Sequence, residues 1–370
     1  MGEWKEYQLG DVAEIVGGGT PKTKVHDFWN GEIPWLTPRD LSNFTGRYIS
    51  SGERNISKLG LNSSSAKILP KGTVLLSSRA PVGYLAIGMN EITTNQGFRS
   101  LIPNSKTDSL FLFYLLKNNV EYLKSQSTGT TFGELAGSTL KSLSFLFPPL
   151  PEQKAIAAVL SSLDDKIDLL HRQNKTLEAL AEAVWRKMFV EEADAGWKKG
   201  KLGNVTSVST GKGLKRIEYN ENGLYPVIGA NGEIGRTDKY LTNEKLILTG
   251  RVGTLGEIFI SNKEVWISDN VLIIKPNENR YFYAVYFLLK NIDFENLNVG
   301  STQPLVTQTD LKNIEIGFPS NGVLDYFTTW CESAFNKIEQ NVRQISTLSR
   351  MRDTLLPKLM IGEVRVEVDQ

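Results

Sequence analysis

At 370 residues the chain is longer than one ordinary domain and long enough for two; 40% hydrophobic and 22% charged, it has the composition of a folded, soluble protein. No apolar run approaches the roughly 18 residues that cross a membrane, Met1–Lys5 lacks the pattern of a signal peptide, and one cysteine (Cys331) with two histidines (His26, His171) excludes a disulfide framework and a zinc site, so a cytoplasmic chain holding no metal or cofactor of its own is expected. The net charge of +1 divides unevenly, with a mild excess of Lys and Arg in 1–150 and 196–321 and a mild acidic excess in 151–195 and 322–370, a pattern compatible with nucleic-acid binding that does not establish it.

Trp4-Lys5, followed by Leu9-Gly10-Asp11-Val12, opens the chain and returns 193 residues later as Trp197-Lys198 and Leu202-Gly203-Asn204-Val205. An internal repeat is the strongest organising signal a sequence can carry. Between the opening and the next matched motif, the first copy has about 20 extra residues, among them Thr20-Pro21-Lys22-Thr23-Lys24 and the stretch from Phe28 to Trp35. Short strands follow, such as Thr73-Val74-Leu75-Leu76 and Lys245-Leu246-Ile247-Leu248-Thr249, punctuated by Gly, Asn and Pro. Ser78-Arg79-Ala80-Pro81-Val82-Gly83 resembles the stretch from Gly250-Arg251 to Gly256, which sets Arg79 opposite Arg251 in matched loops. Leu115-Leu116-Lys117-Asn118 returns as Leu288-Leu289-Lys290-Asn291, and Leu140-Lys141 with Phe147-Pro148 returns as Leu311-Lys312 with Phe318-Pro319. Four matches in one order are not chance.

After each copy the apolar period changes from two to three-and-four. Ile156, Val159, Leu163, Ile167, Leu170, Asn174, Leu177, Ala181, Val184 and Met188 predict one long helix, started by the prolines at 148–151. Ala334, Ile338, Asn341, Ile345, Leu348, Arg352, Leu355 and Leu359 predict a second, in the same register. Each helix of about 40 residues reaches on the order of 60 Å. The second helix leaves the second copy, so to pack on the first it must run antiparallel to it. The expected fold is α+β: a tandem pseudo-two-fold repeat of two α/β domains, 1–150 and 196–321, separated by two long antiparallel coiled-coil helices, 151–195 and 322–370. A simple core or oligomerisation hairpin is the other reading of the helices. Asn174 and Asn341 are either polar residues tolerated in the seam or the pair that fixes its register.

The string Pro149-Leu150-Pro151-Glu152-Gln153-Lys154-Ala155-Ile156-Ala157, continuing to Leu163-Asp164-Asp165-Lys166-Ile167, resembles the central helical region of type I restriction-modification specificity subunits. Gly18-Gly19-Thr20-Pro21, Ile33-Pro34-Trp35, Thr37-Pro38-Arg39-Asp40-Leu41 and Thr94-Asn95-Gln96-Gly97-Phe98 resemble their target-recognition domains. The second helix departs from the pattern, beginning Phe318-Pro319-Ser320-Asn321-Gly322. The resemblance implies a non-catalytic chain that reads the two halves of an interrupted, asymmetric double-stranded DNA sequence. It implies two methyltransferase subunits as partners, using S-adenosylmethionine to methylate adenine N6, and translocase-nuclease subunits using ATP and Mg. No membrane partner is implied.

The residues themselves offer no catalytic constellation. Gly17-Gly18-Gly19-Thr20-Pro21-Lys22-Thr23 and Gly211-Lys212-Gly213 lack the spacing of a phosphate-binding loop. No Asn-Pro-Pro-aromatic string is present, and Phe147-Pro148-Pro149 has the wrong order. Asp164-Asp165 beside Lys166 reads as a solvated helix face. For DNA, Lys22, Lys24 and Arg39 in the first copy and Lys212, Lys215 and Arg216 in the second are candidates for groove and backbone contacts, against the alternative of solvated surface. Arg79 and Arg251 either contact phosphates or tie down their loops. Gln96 and Gln303 are candidates to pair with adenine in the major groove. Trp29 and Trp35 read as packing rather than base stacking. A free-standing DNA-binding scaffold and a protein–protein adaptor are the rival functions.

Overall fold

Alternating and fully apolar runs form strands because each exposes or buries one face at a two-residue period. In the computed structural model, which describes residues 3–128, 133–252, 255–294 and 305–367, those strands build the same three sheets twice. The chain divides into two compact units, Met1–His171 with Arg343–Gln370, and Arg172–Val342.

In the first unit, a five-stranded sheet has the order Ala13–Gly17, Arg99–Pro103, Val74–Ser78, Val82–Gly88, Tyr48–Ile49. A small sheet orders Arg54–Ile56, Trp29–Leu36, Thr93–Thr94, and a two-stranded clasp pairs Lys5–Gln8 with Ser144–Phe147. The second unit repeats this plan. Its main sheet runs Thr206–Thr210, Val271–Pro276, Leu246–Gly250, Ile258–Ser261; its small sheet runs Gly232–Thr237, Tyr225–Gly229, Trp266–Ile267; and its clasp pairs Lys198–Lys201 with Glu315–Phe318.

Equivalent positions in the two units have backbone duties, among them a pair, Gly18 and Gly211, that the sequence repeats did not include. A Cβ on Gly18 would collide with the Asn95 carbonyl oxygen, and one on Gly211 with that of Ser268. These are equivalent places, since Asn95 N–H donates to Leu36 O (2.8 Å) and Ser268 N–H to Ile228 O (2.9 Å). Gly83 and Gly256 both take left-handed φ, +108° and +83°, which a side chain would strain. The Leu-Leu-Lys-Asn repeat ends the buried helices Ser109–Asn118 and Phe282–Asn291.

The hydrogen-bond ladder corrects one equivalence. Ser78 N–H donates to Gly97 O (2.7 Å) and Ser78 O accepts from Leu135 N; in the second unit it is Arg251 whose N–H donates to Asn270 O (2.9 Å) and whose carbonyl accepts from Val306 N. Arg251 therefore occupies the place of Ser78. The match of Arg79 to Arg251 is one residue out of register, because two arginines beside glycine-containing loops look alike whatever their place on the strand.

The long helices are Leu150–Arg186, continued by a π-helical turn Lys187–Glu191, and Asn321–Met360. Each unit contains a segment of both. In the first, Ile156, Ala157 and Leu160 share a core with Leu356, Leu359 and Met360 and with Phe111, Leu112, Leu115 and Leu116 of the short helix. In the second, Ala181 and Trp185 share a core with Phe327 and Cys331. The pairing is antiparallel in both. Ile167 and Leu170 are buried in the seam, while Leu177, Ile338, Ile345 and Leu348 are half-buried. Asn341 is fully buried, and its amide donates to Asn174 Oδ1 at 2.8 Å.

Asp164 overturns the solvated-face expectation for its half of the pair. It is buried, accepting from the Tyr114 hydroxyl (2.7 Å) and from Arg352 Nη1 (2.8 Å), with buried Arg47 alongside. Asp165 faces water and pairs with Arg47. Burial alone would raise the Asp164 carboxyl, but the hydrogen bonds from Arg352 and Tyr114 outweigh it and hold it below its ordinary range. In the second unit the corresponding places are Phe287 and Phe335, whose rings pack together. The Arg352 that broke the apolar seam is explained by this network.

Candidate nucleic-acid interface

Main-sheet topology brings the loops that carry Lys22, Lys24, Arg79 and Gln96 to one sheet end, while Arg39 follows a strand of the small sheet. Strand Ala13–Gly17 finishes there, Arg99–Pro103 starts there, and Val74–Ser78 finishes beside it, with Ser77 bridged to Phe98. Three loops leave this end. The Gly18–Lys24 loop is pinned by two indoles: Trp35 Nε1 donates to Gly19 O (2.8 Å) and Trp29 Nε1 to Lys22 O (3.3 Å). Both tryptophans are buried and meet edge to face at 5.0 Å, so they pack the loop rather than await a base. Arg54 covers the Trp29 ring at 3.5 Å. Lys22 and Lys24 project from the pinned loop into water.

Arg39 lies on a 3-10 turn, Pro38–Leu41, capped by Asp40, whose carboxylate accepts from Thr37 N (2.7 Å), Thr37 Oγ1 (2.7 Å) and Glu53 N (2.7 Å). The backbone is fixed and the guanidinium side chain is exposed. Gln96 sits on the third loop, where Asn95 Oδ1 accepts from Gly97 N (2.8 Å). Its side-chain oxygen already accepts from the Thr20 hydroxyl. A bidentate pair with adenine uses that oxygen and the amide N–H, and the second lone pair of the oxygen is left for it while Thr20 holds the first. Arg79 shares Glu134 with Arg99, at 3.7 and 2.9 Å respectively. The loop-fastening role is thus visible for Arg79.

In the second unit, Lys212 and Arg251 leave the equivalent sheet end. Lys212 N–H donates to Ile267 O (2.8 Å), as Gly19 N–H does to Thr94 O (2.9 Å). Lys212 O accepts from Trp266 Nε1 (2.8 Å), the same indole pin supplied from a different strand. Lys215 caps and Arg216 opens a 3-10 turn, Arg216–Glu218, and both are exposed. Arg251 enters no ion pair among the described residues. Gln303 lies outside the described residues.

Sequence reasoning gave no role to Glu152, Gln153, Arg47 or Tyr114. Gln153 is buried and fully satisfied: its oxygen accepts from Thr107 Oγ1 (3.1 Å) and Asp108 N (2.9 Å), and its amide donates to Lys106 O (3.0 Å) and Pro148 O (2.9 Å). Glu152 takes Arg365 in a two-point ion pair, with Nη2 at 2.8 Å, and accepts from Trp4 Nε1 at 3.4 Å. The resemblance had marked Glu152 and Gln153, but not Arg47 or Tyr114, as part of a motif. Their neighbours in space were not readable from it.

Among the described residues no group of His, Cys, Asp and Glu is arranged to hold a metal, and no helix is long and apolar enough to cross a membrane. Burial pushes the Cys331 thiol up to about 12, which leaves it a protonated packing group.

The model of the type I restriction modification DNA specificity domain matches residues 1–179 and matches again over 194–322. The chain belongs to that family. It is 36% identical to the type I restriction enzyme MjaIX specificity subunit of Methanocaldococcus jannaschii, over 99% of this chain and 94% of that one. It is 22% identical to the HindI specificity subunit of Haemophilus influenzae, over 98% and 100% of the two chains. The crystal structure of the S subunit of the type I system of M. genitalium has the same fold, with a TM-score of 0.65 at 21% identity over 97% of this chain and 96% of that one. As a type I specificity subunit, the chain acts within a restriction-modification complex and supplies target recognition rather than catalysis.

Proposed function

We propose that residues 1–150 and 196–321 each read one half of an interrupted, asymmetric duplex sequence, with the helical segments 151–195 and 322–370 as spacers. The observation that carries this reading is the repeated main sheet, beside whose equivalent end exposed cations, with the half-buried Arg251, stand on fastened loops in both copies. Lys22, Lys24 and Arg39 in one copy, and Lys212, Lys215, Arg216 and Arg251 in the other, lie along phosphates; loop-borne polar side chains such as Gln96 reach base edges. Arg79 acts mainly through Glu134.

In the assembly, two methyltransferase subunits use S-adenosylmethionine to methylate adenine N6 at the site this chain selects. Translocase-nuclease subunits using ATP and Mg complete the restriction enzyme. The test is to sequence methylated adenines in a host with and without this chain. One bipartite motif, present only with the chain, is the expected result. An unchanged methylation pattern, or methyl transfer by the purified chain alone, overturns the reading.

A further inference from the structure

Ile217 is 90% exposed, more than any other large apolar side chain among the described residues. Its position is not a loose loop. The following Glu218 accepts from Lys215 N (3.0 Å), pairs with Lys239, and offers its carbonyl to Thr237 Oγ1 (2.8 Å). Two residues on, Asn220 N–H donates to Arg236 O (2.9 Å) and its amide to Asp238 (2.8 Å). Upstream, Lys212 O is held by the Trp266 indole, over which the Lys239 ammonium sits at 4.9 Å. The turn is fastened on both sides and displays an isoleucine to water.

The first copy uses its own 3-10 turn differently. At His26–Phe28 the apolar residue, Phe28, packs with Trp29, Trp35 and Ile56. The outward apolar group is therefore peculiar to the second copy, where it adds nothing to the fold. Single exposed apolar residues are ordinary on a protein surface. This one is preceded by exposed cations, Lys212, Lys215 and Arg216, within six residues of chain, which suits a polyanion. In the major groove the base edges present polar donors and acceptors and one apolar group, the 5-methyl of thymine.

We propose that Ile217 reads a thymine in the half-site of the second module by contact with its 5-methyl group, with Lys215 and Arg216 on the neighbouring phosphates. The inference rests on the DNA-reading function above and names a residue that sets specificity within it.

The test uses the full chain assembled with its methyltransferase subunits and duplexes carrying the methylated motif. Each thymine in turn is replaced by deoxyuridine, which lacks only the methyl group. At one position of the second half-site the wild-type complex is expected to bind about fourfold more weakly, the worth of one buried methyl-sized group. The Ile217→Ala complex is expected to bind the thymine duplex weakly by the same factor and to be indifferent to deoxyuridine at that position alone. Its thermal midpoint should match wild type, since the side chain is solvated. Additive losses at every position, or a second half-site with no A·T pair, overturn the inference while leaving the DNA reading intact. Absence of sequence-selective binding by the wild-type complex overturns the DNA reading itself.

Discussion

Asp164 holds together a charge network of the first unit. It sits between Arg47 and Arg352, so Asp164→Asn removes the buried anion the two cations share and leaves each only its exposed partner, Asp165 or Asp353. Loss of one partner from such a buried network costs about 3 kcal/mol, which chemical denaturation of the full chain will measure. The folded carboxyl titrates below its unfolded value, so its contribution is complete above a pH of about 4 and is lost as pH falls through the folded value. Wild type should lose stability on acidification more steeply than Asp164→Asn; parallel curves would remove the linkage. Changing Lys212, Lys215 and Arg216 together to Ala should lower the logarithmic salt slope of DNA binding by about 0.9 for each phosphate left without its cation. An unchanged slope would return these cations to plain solvated surface. Asp164 could not be read from sequence because its partners lie 117 and 188 residues away. A solvated Asp-Asp-Lys and a buried one are written with the same letters.

Elements were more legible than side-chain partners. The helix stripes were readable because a buried face repeats at every turn, whatever it packs against. The tandem copies were readable because matched stretches, such as those ending at Gly83 and Gly256, answer the same backbone demand. The Arg79–Arg251 equivalence failed because strand register resides in backbone hydrogen bonds, which side-chain identity does not report. Helix starts also differ between copies. Buried Gln153, with four hydrogen bonds, corresponds at the repeat offset of 171 to buried Leu324. Gln153→Leu should therefore cost about 3 kcal/mol, because the groups it serves at Lys106, Thr107, Asp108 and Pro148 lose their partner. A near-neutral change would mean that water takes over these bonds. In the seam, Asn341→Leu should destabilise by about 1–2 kcal/mol while Asn174→Leu/Asn341→Leu recovers most of it. Additive losses would show that the two amides do not act as a pair.

At the scale of the molecule, each module is closed by its own first and last strands, Lys5–Gln8 with Ser144–Phe147 and Lys198–Lys201 with Glu315–Phe318. Exchanging 196–321 for the corresponding segment of a relative should change one half-site of the methylated motif and leave the other. Change in both would mean the modules do not read independently. The approach of Gly362 to Trp4, whose ring lies 3.5 Å from where a Cβ on that glycine would stand, and the shared hold of Trp4 and Arg365 on Glu152 have a different consequence. The two extremities of the described chain are neighbours in one unit, so the polypeptide leaves that unit and returns to its own starting point. A short peptide joining Val366 to Trp4, with a new opening cut near Gly196, would preserve every strand pairing and both helices. Topologically, the order in which the two modules are synthesised is then arbitrary, and a permuted chain beginning with the second should assemble into the same object.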